Sequence, residues 1–145
     1  MKRSQQLHPL SMEHHLSLAL ANKAIKAARS GDEVAMQQLS KEIAADFPTR
    51  WDKHFQNEET TIFSMLEAQH DGPANMTAEL RRQHDEMRKM ATQLGAGDTS
   101  VLEDFGILLR DHTRMEEREL FPIAEEKLTR RQLDEVLEQT QSAED

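Results

Sequence analysis

One ten-residue pattern occurs twice in this chain. His54-Phe-Gln-Asn-Glu58-Glu59-Thr-Thr-Ile-Phe63 and His112-Thr-Arg-Met-Glu116-Glu117-Arg-Glu-Leu-Phe121 both read H-x-x-x-E-E-x-x-x-F, and they begin 58 residues apart. On a helix, residues i and i+4 are offset by only about 40° and lie one turn apart. His54 and Glu58 therefore point one way, as do His112 and Glu116. An imidazole and a carboxylate so placed can clamp a metal ion at bond lengths of about 2 Å. Phe63 and Phe121 are expected on or near the same faces, turning them inward. A single such pair is most simply a surface ion pair worth a few tenths of a kcal/mol. Two copies with the same second Glu and the same Phe favour a shared buried partner, because burying so many polar groups without one is costly.

Two further histidines join the set. His84 is followed by Met87, Met90 and Leu94 at +3, +6 and +10, and His15 by Leu18, Ala21 and Ile25 at the same offsets. His14 competes with His15. The mean apolar direction of that segment lies nearer His14, but the comparison with His84 selects His15. The expected metal ligands are thus His15, His54, Glu58, His84, His112 and Glu116, enough for two ions with the carboxylates bridging. Glu59 and Glu117 are expected to be solvated or supporting groups, with Glu117 a spare ligand. Arg88, one turn after His84, could approach the site. His8 and His70 read as surface residues. There is no cysteine, so any metal is held by nitrogen and oxygen, which suits Fe, Mn or Zn.

Positioning these groups requires helices. The 145 residues include only 5 Gly and 4 Pro, with 31% charged, a helical composition. After a loose arm of about ten residues, Ser11 is a plausible cap for a first helix reaching Ser30. Capping boxes are expected at Ser30–Glu33, Ser100–Glu103 and Thr129–Gln132. The second helix should kink or break near Phe47-Pro48 and end near His70, before the turn Asp71-Gly72-Pro73. A third helix spans about 74–94. The fourth carries Leu102 to Ile123 with a bend at Pro122, and residues 141–145 should fray. The expectation is an all-α, antiparallel up-down-up-down four-helix bundle with a short C-terminal helix. A single domain, 1–145, would have its core at about 10–128 and the extra helix at about 130–140.

Charge and hydropathy exclude some roles. The formal net charge of −9 argues against nucleic-acid backbones and anionic lipid as partners. No apolar run nears the roughly 20 residues of a membrane span, and no apolar stretch follows the basic first residues. The cytoplasm is the expected compartment.

At the paired motifs, at Leu120-Phe121-Pro122, and at the histidines of SMEHHLSLAL and LRRQHDEM, the sequence resembles the hemerythrin-like, or HHE cation-binding, family over about residues 10–128. The resemblance implies a left-handed four-helix bundle around a non-haem di-iron centre. Two Fe ions would be bridged by Glu58, Glu116 and an oxo or hydroxo group, with His15, His54, His84 and His112 as terminal ligands. It also implies binding or sensing of O2 or a related small ligand. The alternatives are a di-iron redox enzyme acting on peroxide or NO with an external electron donor or protein partner, and an iron-storage or metal-binding protein. Oxygen-carrying members place a second histidine four residues after the first on the third helix. Here that residue is Arg88, which cannot be a ligand. Unless His14 supplies the missing ligand, one iron is left with room for water or an exogenous ligand, which fits simple O2 carriage less well. A ferritin-like oxidase fits less well, since its pattern is Glu-x-x-His. A metal-free helical scaffold is the remaining alternative.

Overall fold

A computed structural model describes residues 3–144, and these are helical almost throughout. Helix α1 spans His8–Ser30. Gly31, at φ 75°, ends it in the left-handed conformation that suits glycine. Asp32 then caps α2 (Glu33–Asp46) by accepting a hydrogen bond from the Ala35 amide at 3.1 Å. The chain continues without a break through a π-helical turn (Phe47–Trp51), α3 (Asp52–Glu58), a second π turn (Glu59–Phe63) and α4 (Ser64–Glu67). Helix α5 is Ala74–Gly95. The fourth rod comprises α6 (Leu102–Met115), a π turn (Glu116–Leu120) and α7 (Phe121–Lys127), and α8 (Arg130–Glu144) follows.

Several local expectations are corrected. Of the expected kink or break at Phe47-Pro48, the break does not occur, and the irregularity there is the π turn Phe47–Trp51. Pro48 sits at the start of that turn, where a missing N–H is tolerated. Pro122 likewise opens α7. Helix α1 starts at His8, with Pro9 in its first turn, so Ser11 lies inside it. The N-terminal arm is not loose from Arg3 onward. Leu7 and Leu10 are fully buried, and Arg3 pairs with Glu125 at 2.6 Å. Of the three capping boxes only Thr129–Gln132 closes reciprocally, at 3.0 and 3.1 Å. Asp32 and Asp98 cap the other two starts. Helix α8 runs to Glu144, so residues 141–144 stay helical; Met1, Lys2 and Asp145 lie outside the described residues.

The core forms two apolar layers. One contains Ala24, Ile43, Phe47, Phe55, Met87, Leu94, Phe105 and Leu109. The other contains Leu10, Ile62, Phe63, Leu66, Leu80, Leu120 and Phe121, closed over by Leu133 and Val136 of α8. Each rod crosses from one layer to the other, at residues 10–21, 55–62, 80–87 and 109–120. His14, Glu58, His84, His112 and Glu116 lie in those gaps, and His54 stands at the edge of the second. Helices α1 and α6 approach closely at Gly106, where a Cβ would sit 2.9 Å from the Ala21 carbonyl oxygen.

Candidate metal centre

Six side chains meet between the two layers. His14, His54, Glu58 and Glu116 form one group of converging ligand atoms, and Glu58, His84, His112 and Glu116 form a second. Both carboxylates belong to both groups. All six residues are at most 4% exposed. His15 is exposed, so the expectation for the first helix is corrected to His14. The cause is legible in α1. The residues at +3, +6 and +10 from His14 are Ser17, Leu20 and Ala24, and a buried Ser17 disguises the inward face as polar. His54, Glu58, His84, His112 and Glu116 come together as their spacing predicts.

The four imidazoles share one orientation. Each turns Nε2 inward and Nδ1 towards an oxygen. His14 Nδ1 meets Glu117 Oε2 at 2.9 Å, and His84 Nδ1 meets Glu59 Oε2 at 2.8 Å. His54 Nδ1 meets Glu13 Oε2 at 2.5 Å, and His112 Nδ1 meets the Gln83 amide oxygen at 2.8 Å. These oxygens only accept, so each Nδ1 carries a hydrogen and donates it. That fixes the tautomer which leaves Nε2 free for a metal, the arrangement common around metal-bound histidines. Thus the second Glu of each motif lies outside the two groups of converging ligand atoms. It orients the histidine of a neighbouring rod. Glu13 and Gln83 do the same from the position just before His14 and His84, and sequence reasoning missed both.

The inward atoms fit a pair of metal ions and fit poorly without them. His14 Nε2 and His54 Nε2 lie 3.1 Å apart, and His84 Nε2 and His112 Nε2 lie 3.0 Å apart. Only one proton can sit between two such nitrogens. Two bonds of about 2.1 Å at a right angle span about 3.0 Å, which is this separation. Glu58 faces His14 and His54 with Oε2, at 3.3 and 3.1 Å, and His84 with Oε1 at 3.1 Å. Both Glu116 oxygens are buried without a hydrogen-bond partner, although His14 Nε2 and His112 Nε2 stand 3.0 and 3.2 Å from Oε1. The Glu116 contacts are close but misaligned for hydrogen bonds. They converge on points between the side chains.

Electrostatics follow from this packing. Burial opposes protonation of His54, but Glu58 and Glu13 outweigh it and raise its pKa to about 9. Burial also opposes charge on His14 and His84, and carboxylate hydrogen bonds again raise both. Burial would raise Glu59, yet His84 and Arg88 hold it at about 2. A metal entering this cluster must therefore displace protons.

Aromatic rings shield the centre. Phe121 stacks on His14 and Phe63 on His84, with centroids at 5.1 and 5.3 Å. Phe55 lies flat on His84 at 4.1 Å. Arg88 stays outside, bonded to Asp52, Asp85 and Glu59. His8 and His70 are exposed. A cavity of about 400 Å³, lined by residues including Glu13, Trp51, His54 and Asn57, reaches the edge of the cluster. No helix among the described residues is long and apolar enough to cross a membrane.

Comparison with known proteins adds one finding. The family model for the hemerythrin HHE cation-binding domain matches residues 6–124. Neither a curated protein nor a solved structure matches the chain.

Proposed function

Because the chain belongs to the hemerythrin HHE cation-binding domain family, we propose that it is a non-haem di-iron protein that binds or senses O2 or a related small ligand. The carrying observation is the pair of ligand groups that share Glu58 and Glu116. His14 and His54 would hold one ion, His84 and His112 the other, and the two carboxylates both. When bound, the metal pair supplies exchangeable coordination positions and redox electrons. The protein's own contribution is orientation, through the four Nδ1 hydrogen bonds, and exclusion of water, through Phe55, Phe63 and Phe121. Arg88 stands where a further histidine would complete one ion's shell, and it is held away by three carboxylates. Two imidazoles and two shared carboxylates would hold each ion, which would keep room for a ligand. The cavity beside His54 offers a route inward.

The same spare positions favour a second reading, reduction of peroxide or NO with electrons from an external partner. Elemental analysis and the visible spectrum of aerobically purified protein test the first step. About two irons per chain with near-ultraviolet and visible charge-transfer bands support the di-iron proposal. One metal per chain, or colourless zinc protein, overturns it in favour of metal storage or a structural site. Peroxide or NO turnover above that of free iron would select the enzymatic reading.

A further inference from the structure

The cluster has an approximate two-fold pattern. The first rod pairs with the third and the second with the fourth. His14 corresponds to His84, His54 to His112, Glu58 to Glu116, Glu59 to Glu117 and Phe63 to Phe121. The supporting hydrogen bonds obey the same exchange, since Glu117 serves His14 as Glu59 serves His84. The residue before each lone histidine serves the remaining imidazole. There the pattern breaks, because Glu13 serves His54 and Gln83 serves His112. One half has a carboxylate where the other has a neutral amide.

A second difference acts in the same direction. Glu59 is bonded twice by the Arg88 guanidinium, at 3.0 and 3.1 Å. Glu117 receives hydrogen bonds from the neutral Ser11 hydroxyl at 3.1 and 2.9 Å. Arg3 approaches Glu117 only to 3.9 Å and spends its closer contacts on Glu125 and the Glu117 carbonyl. The His14/His54 half thus has two supporting carboxylates with little compensation. The His84/His112 half has one, directly paired with a guanidinium. A carboxylate accepting from Nδ1–H makes imidazole a more basic ligand, and changing such a partner typically alters metal affinity 10–100-fold.

We propose that the two metal positions are unequal, and that a divalent cation fills the His14/His54 position first because Glu13 supplies a carboxylate where Gln83 supplies an amide. Glu13 and Gln83 are positioning residues that set the order of loading. The inference rests on the two-metal reading above.

The test is the reciprocal swap Glu13→Gln with Gln83→Glu, which leaves total charge unchanged. The full chain, stripped of metal, is crystallised with one equivalent of Co²⁺, and anomalous scattering locates the ion. The expected result is cobalt at His14/His54 in the unmodified protein and at His84/His112 in the swap. In solution, competition titration should show the two stepwise affinities differing about tenfold or more. Gln83→Glu alone should narrow that gap by strengthening the second step, which a merely structural role would not do. Equal occupancy in the unmodified protein, or the same preferred position in both proteins, overturns the inference while leaving the two-metal reading intact. Absence of cobalt from both positions overturns that reading itself.

Discussion

Removing metal should make the protein sensitive to alkali, because the same side chains that hold an ion hold protons without it. The His54 pKa rises from its ordinary 6.5 to about 9, burial being outweighed by Glu58 and Glu13. The folded value lies above the unfolded one. The proton's contribution to stability is therefore fully present below pH 6.5 and lost as pH rises through 9. Over those 2.5 units, at 1.36 kcal/mol each, His54 alone accounts for about 3 kcal/mol. That is a large share of the roughly 5–15 kcal/mol that holds a domain folded. His14 is raised as well, but its Nε2 faces that of His54 at 3.1 Å and the two share one proton, so their contributions do not add. The assay is denaturant unfolding of chelator-treated protein between pH 6 and 9.5, alongside His54→Gln. The unmodified metal-free protein should lose stability across that window, and His54→Gln should lose less. Metal-loaded protein should not share the decline, because the ion has replaced the inward protons, and loading at pH 7 should release at least one proton per chain. Flat stability of the metal-free protein from pH 6.5 to 9.5, or loading without proton release, would refute the reasoning.

Three further perturbations probe the site and the packing that holds it. His112→Ala should abolish two-metal stoichiometry and the charge-transfer bands together, measured by elemental analysis and absorbance; bands that survive would remove His112 from the ligand set. Phe121→Ala deletes a fully buried ring stacked on His14; it should cost about 3–5 kcal/mol and speed metal loss to a chelator, read by unfolding and stopped-flow absorbance. Gly106→Ala places a methyl group 2.9 Å from the Ala21 carbonyl oxygen; the resulting separation of α1 from α6 should cost about 1–3 kcal/mol, seen as a drop of several degrees in Tm.

Much of this was legible in the sequence, for physical reasons that also explain the failures. The repeated motif placed His54, Glu58, His112 and Glu116 because i,i+4 geometry is local and survives any tertiary arrangement. His84 was legible because the methionines after it mark an inward face. His14 was legible in the mean apolar direction of its helix, but the comparison with His84 overrode it, because the residue three after His14 is Ser17 and the residue three after His15 is Leu18. Two nearby polar residues do serve the cluster, Ser11 donating to Glu117 and Glu13 accepting from His54, while Ser17 donates to the Glu13 carbonyl of its own helix. Apolar direction averaged over a whole helix tolerates a few polar residues on the inward face, whereas matching single offsets between two helices does not. The supporting roles of Glu13 and Gln83 depend on which rods face each other, which no single segment records. The signal that could have found them is their shared position immediately before the two lone histidines.

The phenylalanine that ends each motif shows why the spacing needs more than an α-helix. At about 100° per residue, nine residues carry a side chain about 180° round. Contrary to the expectation drawn from the spacing, a regular helix would turn Phe63 away from His54 and Phe121 away from His112. Yet both rings are fully buried against the cluster. The π turns at Glu59–Phe63 and Glu116–Leu120 resolve the conflict. A π turn bonds i to i+5 and so absorbs one extra residue. Phe63 then stands to Glu58 much as an i+4 residue would, on the same inward face. Glu59, displaced by the same turn, is left beside the next rod, where it meets His84. One irregular turn thus brings a carboxylate, a second carboxylate for the neighbouring imidazole and a covering ring into a single stretch of helix. Its presence in both copies explains why Glu-Glu and Phe recur together, at a separation that a regular helix would waste.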